Sequence, residues 1–103
     1  MKNFLHMTLS TLALTFVIAS SASANEVFKK NCSSCHAGGN NIMNPDKTLK
    51  MDSLEKNGVN SLGAIKELVS KGKAPMPAFA STLDEKEIDA VSAYVLEQAK
   101  KGW

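Results

Sequence analysis

Cys32-Ser33-Ser34-Cys35-His36 is the cluster in this chain whose residue types and spacing point most directly to chemistry. Two thiols one helical turn apart can each add to one of two adjacent vinyl groups of a porphyrin. C-x-x-C-H is the attachment pattern of c-type haem. His36 comes next, so its imidazole is delivered beneath the ring and directed at the iron. Neutral imidazole is a good iron ligand, and a carbonyl on its other nitrogen commonly fixes the tautomer.

Three other chemistries use similar residues. A thioredoxin-like C-x-x-C needs a strand-helix context, and no segment shows sustained strand alternation. A four-ligand zinc site needs more Cys or His than the three that remain once His6, near the N-terminus, is set aside. A disulfide between Cys32 and Cys35 suits an exported protein, but it closes a very small loop and leaves the core unfilled. Haem attachment is the favoured reading.

For the opposite face of the iron the residues offer Met43, Met51, Met76, a lysine, or nothing. A lone methionine in a small domain is usually core filler. Met76 stands apart because Pro75 and Pro77 stiffen the backbone on both sides of it. Met43 is close in sequence to His36 and poorly placed to cross a ring, and Met51 stands at the expected start of a helix. Met76 is therefore the favoured second ligand. A thioether is a soft, weak donor that favours ferrous iron and raises the reduction potential relative to a second imidazole. With both axial positions filled there is no vacancy for substrate, which describes an electron carrier rather than an enzyme.

These residues need elements to position them. Residues 1–24 read as a secretory signal: Lys2 is followed by an apolar run over 9–18 and by Ala22-Ser23-Ala24, an A-x-A cleavage site. An uncleaved membrane anchor is the competing reading. A spanning helix needs about 20 mostly apolar residues, and Thr8, Ser10, Thr11, Thr15 and Ser20 dilute this one. Cleavage leaves a single domain over 25–103, a length that rarely builds a sufficient core without a staple, metal or cofactor. Its charged residues are 11 Lys against 10 acids with no Arg, which gives no basis for nucleic-acid binding.

The expected architecture is all-α, with about four short helices around one covalently bound haem. The first spans roughly 26–35 and is broken by Gly38-Gly39, with a turn at Pro45. The second runs from about Thr48 to Glu55 and closes at Asn57-Gly58. The third starts after Asn60-Ser61, repeats Leu62, Ile65, Leu68 and Val69 at helical spacing, and stops at Gly72. The fourth opens on a capping box at Thr82-Leu83-Asp84-Glu85 and presents Ile88, Val91, Tyr94, Val95 and Gln98-Ala99 on one face to about Lys100.

The motifs together resemble the cytochrome c6 family of algae and cyanobacteria. The likeness runs through the haem segment Asn31–Asn41, the turn Pro45–Leu49, the ligand loop Met76–Phe79, Ala93-Tyr94-Val95 and the end Lys101-Gly102-Trp103. It implies a small class I cytochrome c fold in which the first and last helices cross over the haem. It also implies thioether bonds at Cys32 and Cys35, iron ligands at His36 and Met76, and a soluble, monomeric one-electron carrier in the thylakoid lumen. The implied partners are the cytochrome bf complex as donor and photosystem I as acceptor. Two readings from other settings compete. One is a periplasmic cytochrome of a non-photosynthetic bacterium that feeds a terminal oxidase. The other is a haem sensor or peroxidase whose methionine leaves the iron.

The chain departs from the family pattern at three places. Cleavage after Ala24 leaves seven residues before Cys32, fewer than is usual. Leu68 stands where a Gln beside the haem is usual, which predicts a lower midpoint potential because Leu offers the ring no N–H. Ser81-Thr82 stands where the family usually carries an Arg used in docking to photosystem I.

Overall fold

The computed structural model describes residues 24–103. The reading of 1–24 as a signal therefore lies, but for its last residue, outside the described residues. Helix α1 covers 24–31 and turns Val27 and Phe28 inward while Lys29 and Lys30 stay exposed. The backbone breaks at Cys32 and resumes as α2, Ser33–His36. The expected single helix over 26–35 is thus two helical pieces. Two i to i−4 bonds nevertheless bridge the break, Cys32 N–H on Phe28 O (2.9 Å) and His36 N–H on Cys32 O (2.9 Å). A 3-10 turn, Ala37–Gly39, ends the segment, and Gly38 and Gly39 both take positive φ there.

Residues 40–50 form a loop organised by Asn41. Its Nδ2 donates to Lys47 O (2.8 Å), while its Oδ1 accepts from Met43 N–H (3.1 Å) and Asn44 N–H (3.0 Å). Helix α3 is Met51–Lys56, three residues later than the expected start at Thr48. The delay has a cause: Leu49 N–H donates to Gly39 O (2.8 Å), and Lys50 is extended at φ −74, ψ 153. A tertiary hydrogen bond outcompetes the first helical turn. Asn57-Gly58 closes the helix as expected, with Gly58 at φ +68.

Helix α4, Leu62–Lys71, begins where Ser61 accepts from Ala64 N–H (3.2 Å), an N-cap that satisfies one free donor of the first turn. Of its four periodic positions, Ile65 and Val69 are buried, Leu68 is half-buried and Leu62 is 41% exposed. Helix α5 is Glu85–Lys101. Its capping box is Asp84 with Glu87, not Thr82 with Glu85. The acid-spaced pattern occurs twice in this stretch, and the earlier copy is taken up by a turn. There Thr82 N–H and Leu83 N–H both bond Phe79 O, and Leu83 is buried, so helix begins only after Asp84.

The core lies among α1, α3, α4 and α5, with Val27, Phe28, Leu54, Ile65, Val91 and Val95 in one cluster. Burying side chains of this size contributes about 1.5–3 kcal/mol each, so they outweigh the exposed Lys66–Asp89 ion pair (2.9 Å) linking α4 to α5. Phe28 of α1 meets Tyr94 of α5 and Trp103 at ring-centroid distances of 5.3 and 5.4 Å. First and last helices therefore pack together, as a class I cytochrome c fold requires. Among the described residues there is no strand, only an isolated bridge between Lys73 and Met76.

Candidate cofactor site

A cavity of about 320 Å³ opens between these helices, and Cys32, Cys35, His36 and Met76 all line it. The rest of its wall is largely apolar, with Phe28, Leu54, Ile65, Leu68, Val69 and Val95 among its side chains. The four residues singled out from the sequence are thus brought together. Met43 also reaches the cavity, but at its rim, where it is 62% exposed. Met51 does not line it; this side chain packs against the core from α3. Leu68 is part of the wall, whereas Thr82 is exposed on a turn outside it.

The His36 side is built by the α1–α2 pair. The turn at Cys32 and the helix after it bring Cys32, Cys35 and His36 into the cavity wall. His36 Nδ1 lies 2.8 Å from Asn40 O. A carbonyl only accepts, so Nδ1 carries a proton and donates; in the neutral imidazole the lone pair is then on Nε2. Asn40 is set in turn by its own N–H on Ala37 O (3.2 Å). The two thiols are free, and burial pushes that of Cys32 up to about 11.

Met76 arrives from a loop pinned to the end of α4. A helix leaves its last carbonyls without partners, and here the loop supplies them. Gly72 N–H bonds Leu68 O (2.7 Å), Phe79 N–H bonds Val69 O (2.9 Å) and Ala80 N–H bonds Ser70 O (3.2 Å). Within the loop, Lys73 and Met76 exchange two backbone bonds (3.0 and 2.8 Å). Gly72 has φ +71, and a Cβ there would sit 2.6 Å from Ala78 N and Pro77 C. Glycine is what lets the Met76 loop close on the helix.

The donor set fits a c-type haem: two thiols, an imidazole bonded through Nδ1 and a thioether line one largely apolar cavity. Among the described residues no three of His, Cys, Asp and Glu gather as a metal-binding group. The sequence reading missed two positions that shape the site. Gly72 stood out only as a helix stop. Asn40 acts through its backbone carbonyl, which residue type does not reveal.

Comparison with known proteins agrees with this geometry. Residues 19–95 match a family model described as "Cytochrome C oxidase, cbb3-type, subunit III". A cytochrome c6 of Cyanidioschyzon merolae is 47% identical over the full length of both chains. Among solved structures, cytochrome c6 from the diatom Phaeodactylum tricornutum is 40% identical with a TM-score of 0.78, over 81% of this chain and 98% of that one. Cytochrome c6C from Synechococcus sp. PCC 7002 is 41% identical with a TM-score of 0.77, over 79% and 99%. The match over two whole chains, rather than the description of one family model, fixes the kinship. The chain belongs to the cytochrome c6 family: it is a c-type cytochrome with one covalently bound haem c, and it carries electrons rather than catalysing a reaction.

Proposed function

We propose that Cys32 and Cys35 would form the thioether bonds to the haem, and that His36 and Met76 would be the ligands of its iron. In this reading the chain shuttles single electrons from the cytochrome bf complex to photosystem I in the thylakoid lumen. The observation that carries the reading is the convergence of those four side chains on one cavity. Haem supplies a one-electron iron couple. The protein's own residues set its behaviour. His36, held through Nδ1 by Asn40 O, offers Nε2 in a fixed orientation. Met76 presents a soft sulfur that favours the ferrous state. The apolar wall excludes water, and the exposed Met43, Lys47 and Lys73 border the mouth through which an electron reaches a partner. Residues 1–24 export the chain and are removed after Ala24.

Mass spectrometry and optical spectroscopy of the matured protein test this. The expected result is one haem mass on a peptide containing Cys32 and Cys35, an N-terminus at Asn25, and the weak far-red band of methionine-bound ferric haem. Flash excitation of photosystem I particles should then oxidise the ferrous protein. A colourless product, or pigment extracted by acidified organic solvent, overturns the attachment. Rapid carbon monoxide binding without the far-red band overturns the Met76 ligand.

A further inference from the structure

Trp103, the last residue, sits far from the cavity in sequence but is joined to the His36 side by a short chain of contacts. Its Nε1–H donates to Leu49 O (2.9 Å), across 54 residues. Leu49 N–H in turn donates to Gly39 O (2.8 Å). The indole also lies directly on Gly39, where a Cβ would fall 2.5 Å from its Cγ. Gly39 is buried at φ +81 and is followed by Asn40, whose carbonyl holds His36 Nδ1 at 2.8 Å. The indole is itself fixed by Phe28 (5.4 Å between centroids), and by its backbone N–H on Gln98 O (2.8 Å).

We infer that Trp103 is a positioning residue for the haem ligand. Its indole braces Gly39 and Leu49, and so holds the Asn40 carbonyl on His36 Nδ1. The inference rests on the reading of His36 as an iron ligand and adds a role to a residue outside the cavity, which Trp103 does not line. The physical consequence follows from the direction of the bond. An Nδ1–H held firmly on a carbonyl makes the imidazole a more basic, electron-richer donor. Such a ligand stabilises ferric iron, so loosening the bond raises the reduction potential. The Trp103 side chain thereby reaches the His36 ring through the backbone of Leu49, Gly39 and Asn40.

The test uses the full-length holoprotein with Trp103 replaced by benzothienylalanine, which keeps the ring shape and lacks the N–H; Trp103→Phe is the second variant. Proton NMR follows solvent exchange of His36 Nδ1–H against that of the Val91 amide, buried in α5. The expected result is that His36 Nδ1–H exchange accelerates roughly fivefold relative to Val91, the factor equivalent to losing one net hydrogen bond. The midpoint potential should rise in the same variants. Equal acceleration of both protons means that Trp103 only stabilises the fold, and overturns the inference; so does no change in either. The unmodified protein separates the two levels of argument. If its His36 ring protons lack the large shifts of an iron-bound imidazole, the ligand reading falls and takes this one with it. If the shifts are present and the exchange ratio does not move, this inference alone falls.

Discussion

His36 and Met76 line the same cavity but are held there in different ways. His36 belongs to a helical segment joined by Cys32 N–H on Phe28 O and His36 N–H on Cys32 O, and its Nδ1 is tied to Asn40 O. The proposed thioether bonds, at Cys32 and Cys35, come just before it in the chain. Met76 has no such side-chain tie. It depends on a loop whose backbone bonds the last carbonyls of α4, on two flanking prolines, and on a glycine that permits the approach. One side is fixed by consecutive residues and covalent chemistry, the other by backbone fit. The difference implies that the His36 side tolerates little, while Met76 can be detached with the rest of the protein intact.

Paired substitutions give the largest effect and the most direct test of that asymmetry. His36→Ala is expected to abolish accumulation of holoprotein, because the ligand that holds iron during attachment is gone. Met76→Ala should still mature with haem bonded to Cys32 and Cys35. It should lose the far-red band, bind carbon monoxide when reduced, and fall in potential on the order of 0.2 V, within the ~0.8 V range that axial ligands command. Optical spectra and redox titration decide the matter. A Met76→Ala protein with its band and potential unchanged would move the ligand to Met43, the other methionine at the cavity.

A smaller perturbation separates the loop from the helix beneath it. Gly58 and Gly72 have nearly the same φ, +68 and +71, but a Cβ at Gly58 meets nothing within 4 Å while one at Gly72 collides with backbone at 2.6 Å. Gly58→Ala should therefore cost only the left-handed backbone term, about 1–2 kcal/mol. Gly72→Ala should cost more, about 2–4 kcal/mol, because backbone must also move. In guanidinium titrations the two should differ in kind as well. In Gly72→Ala the far-red band should disappear at a lower denaturant concentration than the helical circular dichroism, because the Met76 loop lifts before α4 and α5 melt. Coincident loss of both signals in Gly72→Ala would mean that loop and helix form one unit.

The same contrast explains what could be read from the residues. The His36 side is written in adjacent letters, so Cys32-Ser33-Ser34-Cys35-His36 named the cofactor, and all but Ser33 line the cavity. The face of α5 was equally legible, because Ile88, Val91 and Val95 repeat at helical spacing and all are buried. Where tertiary contacts decide, the local signals misled. Helix α3 starts late because Leu49 is claimed by Gly39 and Trp103, partners 10 and 54 residues away. The capping box slid from Thr82 to Asp84 because Leu83 is buried in a turn. Asn40 and Trp103 stayed hidden for a related reason. One works through a carbonyl that every residue has, and the other through a contact on a glycine far along the chain.

Leu68 offers the finest adjustment, because it changes neither ligand. It is half-buried on α4 and forms part of the cavity wall. An amide N–H at this position, directed at the haem, would stabilise the electron-richer ferrous form, and a leucine cannot donate. Leu68→Gln should therefore raise the midpoint potential by roughly 20–60 mV, the electrical equivalent of a hydrogen bond of about 0.5–1.5 kcal/mol in a one-electron couple. Leu68→Met alters the side chain without adding an N–H and should leave the potential nearly unchanged. Redox titration of the three proteins at one pH separates hydrogen bonding from packing. An equal rise in both variants would assign the effect to the shape of the wall. No rise in Leu68→Gln, with the far-red band intact, would mean that Leu68 only packs.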